Sequence, residues 1–216
     1  MTRNVLLVVP TGISNQYVVQ ENDDYLIIDT GLRYNYTNLV NFLSRQKISA
    51  KKLKMVVITH ADGDHYGCLN LLVDHSSVKL TTATSAIEAE AIGKGISSRP
   101  LRSKGLQKIV LGMVSPLFTC KPVRIERILI PGETLPFLGG LIVLDTKGHT
   151  PGHISLWSET EKTLFSGDSI NIRDGVPSPS RGVNTWDEDL ARKSFEMQMD
   201  LHPDHIYGGH GVWNRE

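Results

Sequence analysis

The apolar run LKMVVI, residues 53–58, passes through one threonine into THADGDH, so that His60, Asp62, Asp64 and His65 crowd into six residues behind a segment patterned as a buried strand. That junction constrains the fold more than any other feature. It sets the polar donors in a glycine-containing loop at the carboxyl end of a strand, where α/β proteins usually place their sites. Neutral imidazole suits zinc or iron, and carboxylate adds a hard anionic donor, so the four side chains are a candidate cation site. An ordinary polar turn is the competing reading, because Asp and Gly are common turn residues.

The segments around the junction alternate in type. NVLLVV, QYVVQ and YLIIDTG read as strands, with a polar END turn between the second and third. Leu39, Val40 and Leu43 are spaced as one face of a helix over residues 36–46. A short helix over 69–73, a strand over 78–82 and a helix over 85–92 continue the β-α-β-α order. ILIP, GLIVLDT, HISLWSE and KTLFSGD read as successive strands of a second sheet, with PGETLPF as a turn. Thr185 followed by Glu188 offers a capping box for a helix running to about Asp200, before a closing HIY strand. Two groups of strands, each with helices, imply two sheets packed face to face with helices on the outer faces. At 216 residues the chain is expected to be a single domain over 1–216.

Three later residues weigh against the simple turn. His149 follows LIVLDT, Asp168 follows KTLF and His210 follows HIY, each flanked by glycine. With these the chain resembles the metallo-β-lactamase-like hydrolases, whose first motif is H-x-H-x-D-H, followed by a later His, an Asp and a final His. The resemblance runs from IIDTG to the terminal GGHG. It implies a four-layer αββα sandwich and two divalent metal ions, zinc by default. His60, Asp62 and His149 would hold the first metal, Asp64, His65 and His210 the second, and Asp168 would bridge them. Asp62 stands where the family usually has His. A carboxylate there makes the first position harder and shifts preference toward iron or manganese, or leaves a one-metal form. By the same resemblance, metal-bound hydroxide would attack an ester-like bond of a small molecule: a thioester or lactone before a β-lactam. Asp64 would orient that hydroxide as the catalytic carboxylate. Three alternatives stay open: a phosphodiesterase or nuclease of the same superfamily, a flavodiiron-like redox protein, and a non-catalytic metal binder.

Composition narrows the partners. Net charge is zero, so no whole-protein field favours nucleic acid. No run approaches the length of a membrane span. Cys68 and Cys120 form no disulfide framework, and with no signal-peptide pattern a cytoplasmic protein is expected. From residue 93 to 127 eight basic residues meet one acid, Glu126. Within that stretch Arg99, Arg102 and Lys104 are candidates for binding an anionic substrate, against the simpler reading of a solvated loop. Tyr66 and Tyr207 flank ligands and either donate to a substrate oxygen or pack. His153, separated from His149 by Pro151 and Gly152, is expected to support a ligand rather than be one. An oligomer is compatible with all of this.

Overall fold

The computed structural model describes residues 6–9, 13–99 and 120–215. The first sheet is built from β1 (Leu6–Val9), β2 (Gln16–Glu21), β3 (Asp24–Ile28), β4 (Leu53–Val57), β5 (Thr81–Thr84) and β6 (Arg127–Ile128), in that order. Strands β1 to β3 form an antiparallel meander, since the polar turn at 22–23 permits immediate reversal. From β3 to β6 the pairing is parallel and needs crossovers. Helix α1 (Tyr36–Arg45) supplies the first, α2 (Gly63–Tyr66) with α3 (Leu69–His75) the second, and α4 (Ala86–Lys94) lies within the third.

The second sheet runs β14 (Gly211–Asn214), β13 (His205–Gly208), β10 (Thr163–Gly167), β9 (Ile154–Ser158), β8 (Leu141–Asp145) and β7 (Thr134–Leu135). Its strands are antiparallel except for β10 beside β13, which are joined through α5 (Glu188–Met199). A separate hairpin, β11 (Ile170–Arg173) with β12 (Val176–Pro179), follows β10 directly.

Period-two alternation divides the apolar side chains into three cores. Val18, Ile27 and Val56 face Leu39, Leu69 and Ile92 of the helices. Their neighbours Val19, Leu26, Ile28 and Val57 face Leu141, Val143, Leu156 and Phe165 of the second sheet. Trp157, Leu164 and Ile206 point the other way, onto Phe195 and Met199 of α5. The result is the expected αββα sandwich.

Three local expectations are corrected. ILIP contributes only Ile128 to a strand, and that strand joins the first sheet, in parallel register with β5 through Ala83 and Thr84. The strand expected over 78–82 starts at Thr81, in step with Met55 of β4. Helix α5 is capped by Asp187, whose side chain accepts from Asp189 N and Leu190 N at 3.0 Å, rather than by Thr185. Thr185 is buried against Ser180, and Glu188 instead accepts from Gly182 N. Segment 100–119, with Arg102 and Lys104, lies outside the described residues.

Candidate metal centre

Each donor follows the end of a strand, and all lie at one edge of the sandwich. His60 through His65 follow β4, His149 lies between β8 and β9, Asp168 follows β10, and His210 is in the β13–β14 turn. Possible ligand atoms of His60, His149 and Asp168 lie within 4.8 Å of one another, as do those of Asp64, His65 and His210. Asp168 sits between the groups. Its Oδ2 is 3.6 Å from His149 Nε2, 4.0 Å from His60 Nε2 and 3.2 Å from His210 Nε2, while Oδ1 is 3.4 Å from His65 Nε2. Asp62 Oδ2 lies 3.2 Å from His149 Nε2 and 3.6 Å from His60 Nε2.

Hydrogen bonds on the far side of each ring decide which nitrogen faces inward. His65 Nδ1 donates to Asp29 Oδ2 at 2.8 Å. The Thr59 hydroxyl also donates to Asp29 Oδ2 and accepts from His60 Nδ1 at 3.0 Å, so one buried carboxylate orients two rings. His149 Nδ1 donates to Ser180 Oγ at 3.0 Å, and His210 Nδ1 to the Ile13 carbonyl at 2.8 Å. All four Nε2 atoms are thereby turned toward the site carboxylates, an arrangement expected of metal-ligating histidines. Among the described residues the buried atoms His60 Nε2, His65 Nε2 and Asp168 Oδ1 make no hydrogen bond. Buried polar atoms are rarely left unsatisfied, so the donor set fits a pair of cations.

His153 takes the supporting place expected of it. The Asp168 amide donates to His153 Nε2 at 3.1 Å, and Nδ1 donates to Thr146 Oγ1 at 2.8 Å. Burial and the nearby histidines hold this ring well below the usual imidazole range, hence neutral. Burial alone would raise Asp168, but the His65 charge and the His210 hydrogen bond hold it well below the carboxylate range. Burial likewise opposes protonation of His65, yet Asp168, Asp29 and Asp64 push that ring well above its ordinary value. Hydrogen bonds to Asp168 and Asp64 raise His210 to about 10. The pocket is thus a well of negative potential, which draws in positive charge.

Close packing leaves no slack. A Cβ at Gly209 would lie 2.0 Å from Asp168 Oδ1, so only glycine fits before His210. Asp29 adopts φ 58°, a strained conformation of the kind that clusters at functional sites. Glu88, fully buried, accepts from Ala61 N, Thr150 Oγ1, Gly152 N and Ser98 Oγ, tying the first loop to the His149 loop. Sequence reasoning named neither Asp29 nor Glu88 as a site residue. The available signal at Asp29 was an acid ending the apolar strand YLII; Glu88, on an ordinary helix, carried none.

The remaining candidates disperse. Tyr66 is buried in the helix-side core, with its hydroxyl toward the Ile96 carbonyl, and Tyr207 packs on Phe165 and Tyr17 between the sheets. Arg99 turns inward to Asp62. A cleft of about 270 Å3 opens over His149, Asp168 and His210 and is rimmed by Asn171, Arg173 and Arg181.

These features define a candidate two-cation centre, and comparison with known proteins places it in a superfamily of metallo-hydrolases. A family model described as the metallo-beta-lactamase superfamily matches residues 9–210, and the chain belongs to that superfamily. The uncharacterized protein YobT of Bacillus subtilis (strain 168) is 29% identical over 93% of this chain and 84% of its own length. The probable metallo-hydrolase YflN of the same organism is 26% identical over 93% and 81%. The acyl-coenzyme A thioesterase MBLAC2 of Gallus gallus is 25% identical over 87% and 73%. Among solved structures, the BLEG-1 B3 metallo-beta-lactamase superposes with a TM-score of 0.74 at 21% identity, covering 97% of this chain and 94% of its own. TTHA1623, in a di-iron-bound form, gives 0.73 at 22% with the same coverage. No helix among the described residues is long and apolar enough to cross a membrane.

Proposed function

We propose that this chain hydrolyses a small thioester bearing an anionic group, with coenzyme A thioesters the first to be tried and lactones next. The observation that carries the hydrolytic reading is the set of four inward Nε2 atoms around Asp64 and Asp168 beneath an open cleft. His60, Asp62, His149 and Asp168 on one side, and Asp64, His65 and His210 on the other, would hold divalent cations, which when bound would supply a water of pKa about 7 and a Lewis acid for the substrate oxygen.

The chain's own residues do the rest. Asp64 Oδ2, 3.4 Å from His210 Nε2, is placed to accept a hydrogen bond from the attacking water and orient it, while Ser14 Oγ donates to the Asp64 carbonyl and fixes that loop. Arg173 and Arg181 are exposed on the cleft rim, and neither forms an ion pair with any described residue. Phosphate or carboxylate groups match guanidinium geometry. The MBLAC2 relative, an acyl-coenzyme A thioesterase, supports beginning with that class. Zinc is the expected cation; the hard Asp62 donor favours iron or manganese as the alternative.

The test is a substrate panel of acyl-coenzyme A thioesters, lactones, β-lactams and phosphodiesters, run on protein of measured metal content. His65→Ala and Asp168→Ala should lose bound metal and abolish turnover while circular dichroism remains native. Full activity in either variant overturns the site, and turnover confined to phosphodiesters overturns the thioester assignment.

A further inference from the structure

Asp62 is held by more than the two histidines it faces. Ser97 Oγ donates to its Oδ1 at 2.7 Å, and Arg99 Nη2 donates to Oδ2 at 2.6 Å. The Arg99 side chain is 7% exposed, and its Nε and Nη1 make no hydrogen bond among the described residues. A guanidinium so buried requires a counter-charge, and among the described residues Asp62 alone pairs with it. The same Oδ2 also faces the site, 3.2 Å from His149 Nε2 and 3.6 Å from His60 Nε2. Donors bonded at ~2.0–2.1 Å to one tetrahedral cation stand roughly 3.3 Å apart. Each carboxylate oxygen has two lone pairs, so Oδ2 can bond the guanidinium and serve the first metal position together.

The charges then balance in a particular way. A neutral histidine at position 62 would leave the first position with Asp168 as its one anionic donor. Asp62 adds a second negative charge and Arg99 cancels it. The second position, built from Asp64, His65 and His210, has no arginine or lysine paired with any of its carboxylates among the described residues.

We propose that Asp62 and Arg99 act as one charge-balanced pair standing in for a neutral histidine at the first metal position. Arg99 is thus a positioning residue that makes this position the weaker of the two, so that cations load the second position first. The inference rests on the two-cation reading of the site.

Metal-free full-length protein should be titrated with zinc, and separately with manganese, in competition with a chromophoric chelator. Wild type is expected to show a tight and a weak event. Arg99→Leu should tighten the weak event by about tenfold or more, the order expected when a nearby unit charge is removed from a partly shielded site, and leave the tight one alone. Arg99→Gln, which keeps a donor to Asp62 without the charge, should do the same even if Arg99→Leu does not fold. Arg99→Lys should stay near wild type. Asp62→His should lose the weak event, and Asp62→His with Arg99→Leu should recover it. Thermal melts of the metal-free variants separate folding from affinity. If wild type binds two cations and Arg99→Gln leaves both constants unchanged or weakens the second, the proposal is overturned while the metal centre stands. A wild type that binds no cation overturns both.

Discussion

At the residue scale, buried acceptors decide what the site histidines do. Asp29 holds His65 directly and His60 through Thr59, so it sets two ligand rings from behind. Asp29→Asn should therefore lower metal affinity about 10- to 100-fold, as the loss of such supporting partners typically does. A chelator-competition titration measures this, with Thr59→Ala expected to show a smaller loss; an unchanged affinity would refute the role. The candidate ligands were legible because each follows an apolar run, with glycine beside Asp62, Asp64, His149, Asp168 and His210. Asp29 was not, since a single acid after YLII looks like any strand end until His65, 36 positions later in the chain, is brought 2.8 Å away. Arg99 illustrates the converse. Its charge in a basic stretch suggested a substrate contact, and the structure spends that charge on Asp62.

Among elements, α4 and the β11–β12 hairpin matter most. Glu88 in the first turn of α4 satisfies two backbone amides and two hydroxyls from three other segments. Glu88→Ala should cost about 3 kcal/mol or more, because those donors would be left buried and unpaired. Denaturant unfolding of the metal-free protein checks the magnitude; a cost within ~0.5 kcal/mol would show that water replaces the carboxylate. The hairpin carries Arg173 and leads into Arg181 on the cleft rim. Arg173→Ala and Arg181→Ala should each raise KM for a coenzyme A thioester several-fold, by about 1 kcal/mol of lost binding, with kcat little changed, the signature of uniform binding. A fall in kcat without a change in KM would place these arginines elsewhere in the reaction. The strands β1 to β4, β8 to β10 and β13, with α1, were readable from apolar patterning, whereas β7 lies within PGETLPF, read as a turn, and β11, β12 and β14 carried no such pattern. Nor was the short β6 readable, since two residues carry no period and only pairing with β5 defines them.

For the whole molecule, the centre draws candidate donors from both sheets, so bound cations would staple the sandwich edge. Removing metal by chelation should lower Tm by about 10 °C, the order expected when ligand at roughly 1,000 times its Kd contributes about 4 kcal/mol to a chain of this size. Calorimetry with and without chelator checks it, and restored metal should reverse the shift. A Tm indifferent to chelation would mean that the edge is held by the Asp29 and Glu88 bonds alone. The sequence by itself determined the layers and the ligand types. Alternation of apolar residues sets which faces are buried, and imidazole and carboxylate at strand ends set the chemistry. Only the tertiary structure decided which carboxylates orient histidines, which tie loops together, and which arginines line the cleft. Those roles depend on contacts between residues far apart in sequence, and a charged side chain has the same local signature whatever it meets across the fold.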